Sequence, residues 1–74
     1  MVNSEVHKHC LADRVLVDDV FAGLIVGLDY LGTIAVYNIL LENGSYARGV
    51  MPGYVKAWPA HKVFPTFRGV APAA

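Results

Sequence analysis

The sequence predicts an all-β domain, a small barrel of about five antiparallel strands. Three observations carry this reading. The apolar run "VFAGLIVGLDYLGTIAVYNILL" at 20–41 is rich in β-branched residues and holds glycines at 23, 27 and 32, which suit strands better than a soluble helix. Turn signals at "LDYLGT" and at Asn43-Gly44 divide residues 20–58 into pieces of strand length. Prolines at 59, 65 and 72 stop regular pairing near the C-terminus. At 74 residues the chain is one domain, near the lower limit at which a core can hold a fold unaided.

Taken in order, residues 1–12 read as a flexible, solvated N-terminal arm. The first strand, 13–18 (DRVLVD), alternates, with Val15 and Val17 on one face and Arg14, Leu16 and Asp18 on the other. Further strands are expected at 21–29, 33–41, 45–50 and 53–58. Asn43-Gly44 is the strongest short hairpin signal, because both residues accept positive φ. The barrel domain is thus 13–68, and 69–74 ("GVAPAA" from Gly69) reads as a disordered tail.

The strand at 33–41 is apolar on both faces, in a chain that is 55% hydrophobic and 16% charged. A strand of that kind is either sandwiched or lies at an interface. The face of Ala35, Tyr37, Ile39 and Leu41 is therefore expected to be an interface of a homo-oligomer, a dimer being favoured. A single cysteine leaves no internal disulfide to support so small a body. The competing reading of 20–41 is a membrane helix, with a GxxxG spacing from Gly23 to Gly27. Asp29 near its middle and the absence of basic anchors at its flanks argue against it. No secretory signal opens the chain, so a cytoplasmic location is expected.

"GVMPGYVKAW" (49–58) resembles the closing stretch of eukaryotic SH3 domains, in which a proline precedes a Tyr-Val strand. "DRV" and then "AGLIVG", within residues 13–41, are similar to KOW- and Tudor-like barrels and to the small plasmid-borne type II dihydrofolate reductases. The resemblance implies an SH3-like barrel and a capacity to assemble. Those reductases carry a Val-Gln-Ile-Tyr pore motif where this chain has "ARGVMPGYV", so it does not imply their chemistry.

Chemistry-bearing residues are few. "HKHC" places His7, His9 and Cys10 within four residues, with His61 as the distant candidate for a metal ligand set. On an extended strand His7 and His9 share a face and Cys10 points the other way, and a closed zinc site usually draws on two separated clusters, so no metal is assigned. Cys10 beside a histidine on a mobile arm would not hold a nucleophile and base in register. No nucleophile elbow, zinc-protease, Walker or Rossmann motif occurs. A non-enzyme without a cofactor is expected.

The charge balance is zero but uneven. All six acids fall in residues 1–43, and residues 44–74 carry Arg48, Lys56, Lys62 and Arg68 with no acid. In that half, Tyr46, Arg48, Tyr54, Lys56, Trp58 and Lys62 interleave aromatics with bases, with Phe64 and Phe67 after them. This is the composition of a protein hot spot and also of a nucleic-acid surface. Zero net charge gives little long-range pull toward phosphates. A protein partner is thus expected and nucleic acid is the alternative, in a bacterial or phage-type accessory protein.

Overall fold

The computed structural model describes residues 6–67. Arg68, the tail 69–74 and residues 1–5 of the arm lie outside the described residues. Five strands form one antiparallel sheet: β1 (Arg14–Val17), β2 (Phe21–Leu31), β3 (Ile34–Leu41), β4 (Tyr46–Val50) and β5 (Val55–Ala57). Their order across the sheet is β4-β3-β2-β1-β5, which makes β4 and β5 the two edges. The fold is all-β as expected, and the sheet is open, since the edge strands do not pair with each other. Residues 20–41, the alternative membrane helix, are instead most of the β2–β3 hairpin. No helix among the described residues is long and apolar enough to cross a membrane.

Local chemistry explains the connections. β1 turns into β2 through Asp18 and Asp19, both with positive φ (53° and 56°), closed by the Val20 N–H donating to the Val17 carbonyl at 3.1 Å. Aspartate tolerates the left-handed region better than most residues, so a tight hairpin forms without glycine. Between β3 and β4 only Gly44 is left-handed (φ 90°), and Asn43 keeps an ordinary φ. Asn43 contributes its side chain instead, the Ser45 N–H donating to Oδ1 at 2.9 Å. The strand expected at 53–58 starts later. Pro52–Tyr54 is a 3-10 turn that precedes β5, and the fixed φ of proline suits its first position.

Alternation along the strands gives the sheet two apolar faces. On the inner face, Val15, Val17, Ile25, Tyr37, Ile39 and Val55 form the main core, with Leu41 and Val50 packed at its margin. Ala35, Tyr37 and Ile39 are 1%, 1% and 0% exposed within a single chain. They offer no surface to a second copy, so the interface expected on that face is the interior of one subunit. On the outer face, Ala22, Leu24 and Leu40 are covered by Trp58, Phe64 and Phe67. The chain beyond β5 folds back over β2 and over β3 at Leu40, which gives the end of that strand an apolar partner on its outer side.

Gly23 sits where the inner face is tightest. A Cβ there would lie 2.5 Å from Ile39 Cγ2 and 3.1 Å from Val17 Cγ2. Both neighbours are buried β-branched side chains with little freedom to move. Gly23→Ala is expected to cost about 1–3 kcal/mol through overpacking. A urea titration that leaves the midpoint unmoved would show that the β2–β3 contact is looser than this geometry.

Residues 6–13, most of them in the expected arm, run against the sheet. The buried Tyr37 hydroxyl accepts the Lys8 N–H at 2.9 Å and the His9 N–H at 3.2 Å. His7 stands edge-on to the rings of Tyr30 and Tyr37, at centroid distances of 4.8 and 5.3 Å. Its Nε2 faces the carbonyls of Asp29 (2.8 Å) and Val36 (3.1 Å). Both are acceptors, so the geometry assigns the ring proton to Nε2. Ala12, with φ 70°, is held from both sides by bonds linking Ala12 and Asp13 to Ile25.

Candidate functional site

The aromatic-basic residues of the C-terminal half do not form one surface. They divide between the two edges of the sheet. At the β5 edge, the lining of a cleft of about 340 Å³ includes His9, Asp13, Arg14, Trp58, Lys62 and Phe64. Arg14 points to the outer face because β1 alternates. Trp58 comes directly after β5, its N–H donating to the Arg14 carbonyl at 3.0 Å. A turn at Pro59–Lys62 then brings the chain back, so that Trp58 Nε1 donates to the Lys62 carbonyl at 3.1 Å.

Both cations of this cleft are held by rings. The Arg14 guanidinium carbon lies 5.1 Å from the Phe64 centroid, and Lys62 Nζ lies 5.8 Å from that of Trp58. Phe64 meets Trp58 nearly perpendicular at 5.3 Å, so the rings brace each other. Neither cation has a carboxylate partner among the described residues, where the only ion pair is Lys56–Asp19. Asp13 lies nearby, but its Oδ2 accepts the Cys10 N–H at 2.8 Å. Charge fixed over aromatic faces leaves guanidinium and ammonium donors free for an incoming acceptor.

The other predicted residues lie elsewhere. Tyr46 and Arg48 are exposed on β4, at the far edge, in a separate groove with Val26, Asp29 and Asn38. Tyr54 is exposed on the 3-10 turn and lines neither cleft. Lys56 is engaged with Asp19 at 2.8 Å, an exposed pair worth at most about 1 kcal/mol. Arg14 and His9 are not part of the face expected from the sequence. The alternation of β1 is the one available signal for Arg14, since it puts that side chain opposite the core.

The metal candidates are not brought together. His7 is occupied with backbone carbonyls, Cys10 and His61 are exposed, and His9 packs its ring 5.5 Å from that of Tyr37. No group of three or more metal-capable side chains is gathered among the described residues. No family model matches the chain, and no curated protein or solved structure matches it either.

Proposed function

We propose that the chain is a small non-enzymatic binding module, built as an SH3-like barrel, that takes an acidic segment of a protein partner. The barrel reading is supported by β1 lying between β2 and β5, and by a 3-10 turn before β5 that touches both β3 and β5. The observation that carries the binding reading is the cleft of Arg14, Trp58 and Lys62, with two cations on aromatic faces, neither in an ion pair, and with its one lining carboxylate, Asp13, accepting the Cys10 N–H. A carboxylate entering it meets a planar guanidinium fork beside an apolar wall. Nucleic acid is the second reading, on the same composition. It is less favoured because a base needs an open ring to stack on. Trp58 is half-buried and has Lys62 over its ring and Phe64 perpendicular to it.

Trp58 is the sole tryptophan, so its emission reports on the cleft directly. An aspartate- and glutamate-rich peptide is expected to shift that emission on titration. Arg14→Ala should weaken the binding by about 2 kcal/mol, the scale of a hot-spot residue. Arg14 is exposed, so circular dichroism should report an unchanged fold. If a single-stranded oligonucleotide binds instead, with affinity falling steeply as salt rises, the nucleic-acid reading replaces this one. A response to neither ligand sinks both.

A further inference from the structure

The groove at the β4 edge carries a charge pattern that complements itself. It encloses about 380 Å³ on the outer face, with Asn38 of β3 between Gly27 of β2 and Arg48 of β4, and with Asp29 two positions along β2, opposite Val36. Asp29 and Arg48 are exposed, and neither makes an ion pair among the described residues. The acid and the base thus stand on opposite sides of one central strand.

We propose that a second copy of this chain seats on this groove, about a two-fold axis running parallel to β3 above Asn38. That rotation lays the partner's β4 over β2, and the partner's β2 over β4. Arg48 then reaches two positions along the partner's β2 to the partner's Asp29, and Asp29 is reached by the partner's Arg48 in the same way, so one pairing forms two equivalent contacts. Exposed Tyr46 and Val26, at 66% and 43%, supply apolar area beside them. Asn38 uses its Oδ1 to accept the Gly49 N–H at 3.1 Å, while its amide N–H groups have no acceptor among the described residues. On the axis they meet the partner's Asn38, and the two amides can bond reciprocally.

A second copy fits better than a foreign chain. An acidic partner would set its charge against Asp29, and a basic one against Arg48. Extension of the sheet at its edges is the less open route. The β3–β4 register is irregular between Tyr37 and Ile39, and β5 has three residues before Pro59 stops it two positions on.

The test is sedimentation velocity over a concentration series, with circular dichroism to confirm the fold of each variant. Wild type is expected to dimerise. Asp29→Arg and Arg48→Asp should each weaken the dimer roughly 100-fold, since symmetry turns one reversed charge into two repulsive contacts of about tenfold each. The double exchange Asp29→Arg/Arg48→Asp should restore association to within about tenfold of wild type. A wild-type monomer at the highest concentration overturns the proposal, including where the groove then takes an added acidic or basic peptide. Single reversals without effect, or a double exchange as weak as the singles, overturn it equally. Arg14 and Lys62 are untouched in every variant, so loss of the dimer with peptide binding intact separates this proposal from the β5-edge cleft.

Discussion

Tyr37→Ala is expected to remove most of the stability of this chain. Tyr37 is 1% exposed at the centre of the inner core, between Val50 on β4 and Leu28 on β2. Deleting a buried aromatic side chain costs about 3–5 kcal/mol. Two backbone N–H groups, of Lys8 and His9, lose their acceptor as well, and each stranded donor adds roughly 1–3 kcal/mol to the extent that water cannot reach it. A domain of 74 residues has a total of about 4–11 kcal/mol to lose, on about 0.05–0.15 per residue. Tyr37→Phe isolates the hydroxyl. It keeps the ring and should cost about 1–2 kcal/mol. Hydrogen exchange should then quicken at Lys8 and His9 while the amides of β2 and β3 stay protected. Urea titrations of both variants decide the matter. A Tyr37→Ala midpoint close to wild type would mean that this ring is not the centre of the core.

The range of each interaction decides how much of this fold is legible in the sequence. β1 to β4 lie within two residues of their expected bounds because period-two burial and turn residues are local properties. The Asp18-Asp19 turn carries no such signal beyond a pair of solvated charges, since aspartate at positive φ is permitted and not demanded. The intermolecular face expected on β3 is mistaken for a definite reason. The second apolar side of that strand needs a cover, and the segment after Pro59 has no periodicity that would mark it as that cover. Tyr37 meets Lys8 and His9 across separations of 29 and 28 residues, contacts with no signature in spacing. The proposed binding cleft is only partly legible for the same reason. Trp58 and Lys62 stand out in the sequence, but their companion Arg14 comes from β1, in the acidic half of the chain, and only sheet topology joins the two.

The cover over β3 gives the second large expected effect. Phe67→Ala should cost about 3 kcal/mol, because Phe67 is 8% exposed and packs directly on Ala22 and Leu40. Its ring stacks on Phe64 at 5.0 Å, and Phe64 braces Trp58, so loosening one end of the series loosens the whole segment. The inner core shares no residue with this cluster and should keep its protection. Partial unfolding is therefore expected in place of a single cooperative loss: red-shifted Trp58 emission and early exchange in residues 58–67, ahead of the strands. An uncovered outer face is a contiguous apolar surface, so the variant should also bind hydrophobic dye and grow in mass with concentration. That growth has a cause different from the charge-paired dimer. It should persist when Asp29 or Arg48 is reversed, whereas association through the β4-edge groove should not. Wild-type emission and wild-type mass in Phe67→Ala would show that the C-terminal segment rests on the sheet without holding it.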